Sequence, residues 1–369
     1  MPNTSNDLSA SQLATLATLA IDIKHWGKEL GFQQIGISDI DLTTAEDRLH
    51  SWLKNNYHGD MQWMARHDSK RSHPEELLPG TIRVISARLD YLPETMDNCR
   101  DLLTQTDKAY ISRYALGRDY HKLIRKRLQQ LACKIQATYS QLTFRVFVDS
   151  APVLEKAIAE KAGLGWIGKH TNLLQKQIGS WFFLGELYIN LPLPVDPPAE
   201  NHCGSCTSCL DICPTNAFIA PYQLDARKCI SYLTIENKAA IPETLRSQMG
   251  NRIYGCDDCQ LFCPWNRFAQ LGNESDFSPR HNLNHIELLE LFNWSEEDFL
   301  NNLQGSAIRR IGYQSWLRNI AVALGNALSE QPENKNIRTA LISKRTQCSE
   351  LVQEHIDWAL QQGKTKPSH

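Results

Sequence analysis

Cysteines at positions 203, 206, 209 and 213, the last followed by Pro214, constrain this chain more than any other feature. Their spacing is C-x2-C-x2-C-x3-C-P. A second half follows: Cys229, then Cys256, Cys259, Cys263 and Pro264. Eight of the eleven cysteines fall between residues 203 and 263. Thiolates at these intervals on a tight loop converge on one small cube, which is what a cubane 4Fe-4S cluster requires.

Zinc is the plain alternative. Structural zinc sites pair two separated C-x2-C units, often with His. Here the first run has three evenly spaced cysteines and both runs end in Cys-Pro, the habit of two-cluster bacterial ferredoxins. In those proteins the fourth cysteine of each run ligates the other cluster. By that rule Cys203, Cys206, Cys209 and Cys263 hold cluster one. Cys229, Cys256, Cys259 and Cys213 hold cluster two. The crossing makes the two halves one folded unit despite the 27-residue step from Cys229 to Cys256.

A chain of 369 residues accommodates two or three domains. Its 42% hydrophobic and 22% charged content are ordinary for a globular protein. A formal charge of −2 gives no global drive toward nucleic acid, so a polyanion site must be a local patch. No apolar run approaches a membrane span. Met1–Asn6 is polar and carries neither a signal-peptide pattern nor a twin-arginine signal. With so many thiols, these features predict a reducing cytoplasm, no disulfides and no membrane partner.

Apolar positions Leu13, Leu16, Leu19, Ile23 and Trp26 predict a helix over 11–31. Helices are expected over 45–55, 120–139 and 152–162, the last with Pro152 near its first turn. Strands are expected over 32–37, 81–92, 144–148 and 180–191. The mixture predicts an α+β domain over 1–195. Residues 191–200 contain four prolines and read as a linker. The cluster domain is placed at 196–280. A helical tail follows over 281–369, with 307–328 and 337–360 as paired helices of the HEAT kind.

Gly163-Leu-Gly165-Trp-Ile-Gly168 fits G-x-G-x-x-G, but the dinucleotide fingerprint needs a strand before it and a helix after. A helix precedes this run, so nicotinamide binding is set aside. A tight turn, or a loop approaching a phosphate-bearing cofactor with Lys169, remains.

Several segments together resemble the epoxyqueuosine reductase family. They are Asp149-Ser-Ala-Pro-Val-Leu-Glu-Lys156, Gly163 to His170 and the two cysteine runs. Arg113-Tyr-Ala-Leu-Gly-Arg-Asp-Tyr-His121 and Tyr57-His-Gly-Asp-Met61 belong with them. The resemblance covers residues 10–330. It implies an enzyme that reduces epoxyqueuosine to queuosine at the wobble position of tRNA carrying a GUN anticodon, with cobalamin and two 4Fe-4S clusters. It implies a nitroreductase-like cobalamin-binding module, a ferredoxin-like domain and HEAT-like helices that help hold tRNA. A low-potential donor of ferredoxin or flavodoxin type would supply electrons, and the protein is expected as a monomer.

Converting an epoxide to an alkene takes two electrons, and side chains are poor reductants, so a cofactor must carry the chemistry. The family's proton donor falls on Asp149. To act as an acid near neutral pH it needs a raised pKa, expected from burial beside Phe147 and Val148. Its plain alternative is a turn-capping carboxylate. Asp119-Tyr-His121 begins the D-x-H-x-x-G loop that supplies His to cobalt but lacks its glycine. His121 is therefore expected to line the pocket, not to ligate cobalt. Lys169, His170 and Asn172 are expected to bind corrin amides or the nucleotide-tail phosphate. Ser231, Tyr232 and Asp257 are expected where cluster and cobalamin approach. Tyr57 and Tyr114, from the matched segments, complete the expected cofactor contacts. Lys122, Arg125, Lys126, Arg127, Arg309 and Arg310 are candidate phosphate contacts, or solvated helix faces. Trp316 is either a base-stacking residue or core. A reductive dehalogenase and a non-catalytic electron carrier are the competing readings. A carrier would need little beyond the cluster region.

Overall fold

The computed structural model describes residues 9–363. Met1–Asn6, read above for export signals, lies outside them. A four-stranded antiparallel sheet frames the first half. Its order is Gln34–Ser38, Arg83–Asp90, Phe182–Ile189, Phe144–Phe147. Every residue of Phe182–Ile189 is buried, because both faces of this strand are covered. Side chains alternate across a strand. Phe183, Leu187 and Ile189 therefore meet one layer, and Phe182, Leu184, Glu186 and Tyr188 meet the other.

The first layer is the helix pair Ala10–Glu29 and Tyr120–Thr138. Leu16, Leu19 and Ile23 from one, and Ile124, Leu128, Leu131 and Ile135 from the other, recur at helical spacing and close this core. A Cβ at Gly185 would stand 2.6 Å from Ile124 Cγ2, so glycine lets the helix lie close on the sheet. Ser9 starts the first helix with a capping box to Gln12. Asp119 starts the second by accepting from the His121 N–H. The second layer is Glu155–Lys161, whose Ile158 and Ala159 pack under the sheet. This helix begins later than expected. Pro152 precedes it instead of occupying its first turn, because Asp149 takes φ +47° and the chain stays irregular until Leu154.

The glycine-rich run opens no helix. It turns at Gly163, with φ +73°, into a hairpin of Trp166–Ile167 with Leu173–Leu174. A Cβ at Gly165 would sit 2.0 Å from the Leu174 carbonyl oxygen, so the strands can pass only at glycine. The proline-rich stretch after it is pinned, not loose. Asp196 pairs with Lys24 and accepts the Ile37 N–H at 2.8 Å.

In the cluster region, the single-turn helices Ser208–Asp211 and Asp258–Leu261 carry Cys209 and Cys259 and pack on each other. Arg252–Tyr254 pairs in parallel with Tyr110–Ile111, stitching this region to the first half. One apolar core runs from Ile111 and Leu116 through Ile230 and Leu233 to the C-terminal helices.

Those helices are Tyr313–Glu330, Lys335–Arg345 and Glu350–Gln362. Two expectations are corrected here. Residues 307–311 form a 3-10 turn that ends at Gly312, with φ +80°. The expected helix over 337–360 is two helices. Residues 346–349, rich in Ser, Thr and Gln, favour local side-chain hydrogen bonds over the helix. The break lets Glu350–Gln362 fold back against Tyr313–Glu330. Trp316 is wholly buried core, not a base-stacking residue.

Arg318, wholly buried, fastens this helical tail to the cluster region. Its guanidinium donates to the carbonyls of Leu233, Asn237 and Ala239 at 2.7–2.9 Å. Asn319 donates alongside to the Thr234 and Ile253 carbonyls. Arg318→Met keeps the packing volume but leaves three carbonyls without their donor. It is expected to cost about 2–4 kcal/mol, read as a lowered denaturant midpoint with near-native circular dichroism before the transition.

Candidate active site

Cys203, Cys206, Cys209 and Cys263 line a chamber of about 150 Å³ together with Lys169, His170 and Trp265. Cys213, Cys229, Cys256 and Cys259 line a larger cavity of about 430 Å³. All eleven cysteines are free thiols. Among the described residues, no three His, Cys, Asp or Glu side chains converge closely enough for a single metal ion. Four thiols around an open chamber suit a cube of iron and sulfide instead. The two chambers differ in position. Cys206 is exposed, which puts the smaller chamber at the surface.

The larger cavity is also lined by Asp149 with Tyr114, Tyr120, Phe183, Asn172 and Ser231. It adjoins a recess of about 790 Å³ that holds Tyr57, and both are lined by Lys156, Thr171 and Leu224. The walls are largely aromatic and aliphatic, with hydroxyl and amide groups between, as a broad amphipathic cofactor would need.

Asp149 sits where strand Phe144–Phe147 ends. The Tyr120 hydroxyl donates to Asp149 Oδ2, and His121 Nε2 lies 3.4 Å from the same oxygen. His121 Nδ1 lies 2.6 Å from Asp119 Oδ1. Tyr120 is fixed by stacking on Phe183, with ring centres 3.9 Å apart. The start of one helix thus holds the carboxylate from one side. Burial works to raise the Asp149 pKa, but the hydrogen bonds from His121 and Tyr120 outweigh it and hold the carboxyl below its ordinary value. This reverses the expectation that burial keeps Asp149 protonated. Burial also works against charge on His121, yet Asp119 and Asp149 push the imidazole up to about 9. The proton of this corner rests on His121.

Other expected contacts are distributed unevenly. The Lys169 ammonium donates to the carbonyls of Gly204 and Cys206 at 2.7 and 2.8 Å, so it braces the smaller chamber and does not line the larger cavity. His170 stands in the walls of both chambers. Asp257 lines the larger cavity, but its carboxylate accepts from Tyr110, Ser112 and the Arg113 N–H, so it anchors structure there. The Tyr232 hydroxyl exchanges hydrogen bonds with Asp60 and faces away from the cavity. Lys122, Arg125 and Lys126 are exposed one to two turns beyond His121, and Arg309 is exposed as well. Arg127 is instead paired with Glu274, and Arg310 with Glu236.

Sequence reasoning gave no role at the site to four residues here. Tyr120 and Asp119 were read only as parts of a matched segment and of an incomplete D-x-H-x-x-G run. Glu155 is pushed up to about 7, first by burial and then by the Asp149 charge. Glu186 is wholly buried with neither oxygen partnered, and burial pushes it up. An acid inside the apolar strand 182–189 was its available signal.

Comparison with known proteins bears on the site directly. A family model described as "4Fe-4S double cluster binding domain" matches residues 202–266. One described as "Epoxyqueuosine reductase QueG, DUF1730" matches residues 71–150. The epoxyqueuosine reductase of Pseudomonas aeruginosa is 62% identical over 93% of this chain and 94% of its own. The chain belongs to the epoxyqueuosine reductase family. The Escherichia coli member is 58% identical over 95% of this chain and 91% of its own. Among solved structures, the Streptococcus thermophilus reductase superposes with TM-score 0.82 at 27% identity, covering 95% of this chain and 91% of that one. Another reductase, solved with an epoxyqueuosine-modified tRNA stem loop, gives TM-score 0.81 at 26% identity over 95% of this chain and all of that one. This chain is therefore an α+β reductase carrying a double 4Fe-4S domain. Among the described residues, no helix is long and apolar enough to cross a membrane.

His121 gives the corner a pH dependence of definite sign. Its pKa is raised in the folded state, so its stabilisation is complete below about 6.5 and is lost as pH rises through about 9. Denaturant midpoints should fall between pH 6 and 9.5 in the wild type. The fall should be smaller in His121→Gln.

Proposed function

We propose that this chain reduces epoxyqueuosine to queuosine in tRNA, with cobalamin in the large cleft and Asp149 as the group that delivers the proton. One observation carries the reading: Asp149 and the four cysteines 213, 229, 256 and 259 line a single cavity. An electron source and a proton source therefore meet in one space.

Removing the epoxide oxygen as water consumes two electrons and two protons. Bound in this cleft, cobalamin supplies the low-potential two-electron chemistry at the epoxide carbons. The aromatic walls at Tyr114 and Phe183, with Asn172, Ser231 and Tyr57, are its proposed contacts. Cys203, Cys206, Cys209 and Cys263 would hold cluster one, and Cys213, Cys229, Cys256 and Cys259 would hold cluster two beside the cleft, so that the pair would supply electrons from an external donor. The departing oxygen needs a proton. Asp149 is placed to give it, and His121, which holds the proton at rest, recharges Asp149 through the 3.4 Å contact. A Bacillus subtilis member solved with its aspartate-bearing catalytic loop swung out of the active site supports a mobile role for this loop. The φ of +47° at Asp149 is in keeping with that.

The exposed Lys122, Arg125 and Lys126 lie beside the Asp149 corner and are proposed tRNA phosphate contacts. The division into a cofactor domain over 1–195, a cluster domain over 196–280 and a tRNA-holding tail over 281–369 is proposed on the same grounds. So are a cytoplasmic location, a low-potential ferredoxin or flavodoxin donor and a monomeric state.

Anaerobically reconstituted protein, given cobalamin and a low-potential reductant, should convert an epoxyqueuosine stem loop to queuosine. Asp149→Asn should lower turnover by about 100-fold or more while stem-loop affinity holds. Wild-type turnover in the asparagine variant would sink the proton assignment. In a separate measurement, Cys263→Ser should disturb the cluster of the first run, and Cys213→Ser that of the second. Electron paramagnetic resonance of the two variants would show the reverse if the pairing were uncrossed.

A further inference from the structure

The hairpin at residues 166–174 carries two buried N–H groups that have no acceptor among the described residues. His170 is 2% exposed and its Nε2 has no partner. Its tautomer follows from the other nitrogen. Asn172 donates its backbone N–H to His170 Nδ1 at 3.1 Å, so Nδ1 is the acceptor and the neutral ring carries its hydrogen on Nε2. That unspent donor belongs to a side chain in the wall of the chamber built by Cys203, Cys206, Cys209 and Cys263. Trp166, 1% exposed, has an unpartnered Nε1–H. Its indole shares an apolar cluster with Leu174 and Cys263, against which Cys203 packs.

Of the other side-chain donors around this chamber, the Lys169 ammonium gives hydrogen bonds to two carbonyls and the Trp265 indole N–H to the His202 carbonyl, while the Arg267 guanidinium also lines it. An orphaned buried donor is costly, and native proteins rarely leave two on one hairpin. Sulfur atoms of a cluster are the acceptors that would satisfy them. The fold enforces the placement. Gly165 lets the hairpin close against the Leu174 carbonyl, and a Cβ at Gly168 would meet His170 Cε1 at 3.0 Å, so the glycine at 168 leaves room for the imidazole.

We propose that His170, through Nε2–H, donates a hydrogen bond to sulfur of cluster one and raises that cluster's reduction potential, with the Trp166 indole as a second donor. The inference rests on the cluster assignment above. A hydrogen bond to sulfur favours the more negative, reduced cluster. Cluster one, at the surface, becomes the easier electron acceptor, and the inward step to cluster two is tuned separately. His170 is thus a tuning residue between the two chambers.

The test is an anaerobic redox titration of the two cluster signals by electron paramagnetic resonance, on protein of measured iron and sulfide content. Cluster one is identified as the signal altered in Cys263→Ser. In His170→Phe its midpoint should move to more negative potential while that of cluster two stays. Trp166→Phe should move it the same way. Wild-type protein labelled with 15N-histidine should show a 15N coupling to reduced cluster one in pulsed spectra, which needs no variant to fold. Full iron with an unmoved midpoint in His170→Phe overturns the proposal, as does a shift confined to cluster two. If His170→Phe fails to load its clusters, an absent 15N coupling in the labelled wild type overturns it. Low iron in the reconstituted wild type would instead fail the cluster assignment itself.

Discussion

Cys213 and Cys263 each stand in the chamber lined by the other run's cysteines. That exchange is the constraint on which the rest of the molecule depends. Neither run can complete its chamber alone, so the chain between them must return to the same place. The single-turn helices bearing Cys209 and Cys259 pack on each other, and Arg252–Tyr254 aligns with Tyr110–Ile111. Arg318 and Asn319 then hold the segment after Cys229 from the far side by its carbonyls. The larger cavity therefore borders the main apolar core through Cys229 and Cys256, while the smaller one is walled by a separate cluster of Trp166, Leu174 and Cys263.

The second organising element is electrostatic. Asp149, at a strained strand end, is held by the first turn of the helix that covers the sheet. Tyr120 and His121 are neighbours on that turn, and Phe183 of the central strand holds Tyr120 in place. Sheet, helix start and catalytic loop thus position one carboxylate. The hydrogen bonds outweigh the effect of burial, so the corner keeps its proton on imidazole and its negative charge on Asp149. A carboxylate poised in this way gives up a proton only after receiving one. In the proposed reaction the acid would therefore be the Asp149–His121 pair and not a single buried aspartate.

Legibility in the sequence followed the range of the interactions involved. The long helices showed in their apolar spacing, and the central strand in its unbroken apolar run. The cysteine spacing is a local signal and carried its ligand sets with it. The turn at Thr346–Ser349 was missed because helical apolar spacing flanks it on both sides, and its short polar stretch was not read as a break. Lys169 was expected at the cofactor because it follows a glycine-rich loop. The hairpin aims it at the carbonyls of Gly204 and Cys206, which lie far along the chain.

By itself the sequence determined the chemistry available: thiolates in cluster spacing, an aspartate at a strand end, and helices and strands enough for an α+β frame. Those are properties of residues within a few positions of one another, and short-range spacing records them. The tertiary structure alone decided how that chemistry is used. It set which side of Asp149 meets a histidine, and which buried N–H groups of the 166–174 hairpin are left unpartnered. Each of these depends on groups brought together from distant parts of the chain by packing, and no local pattern encodes that meeting.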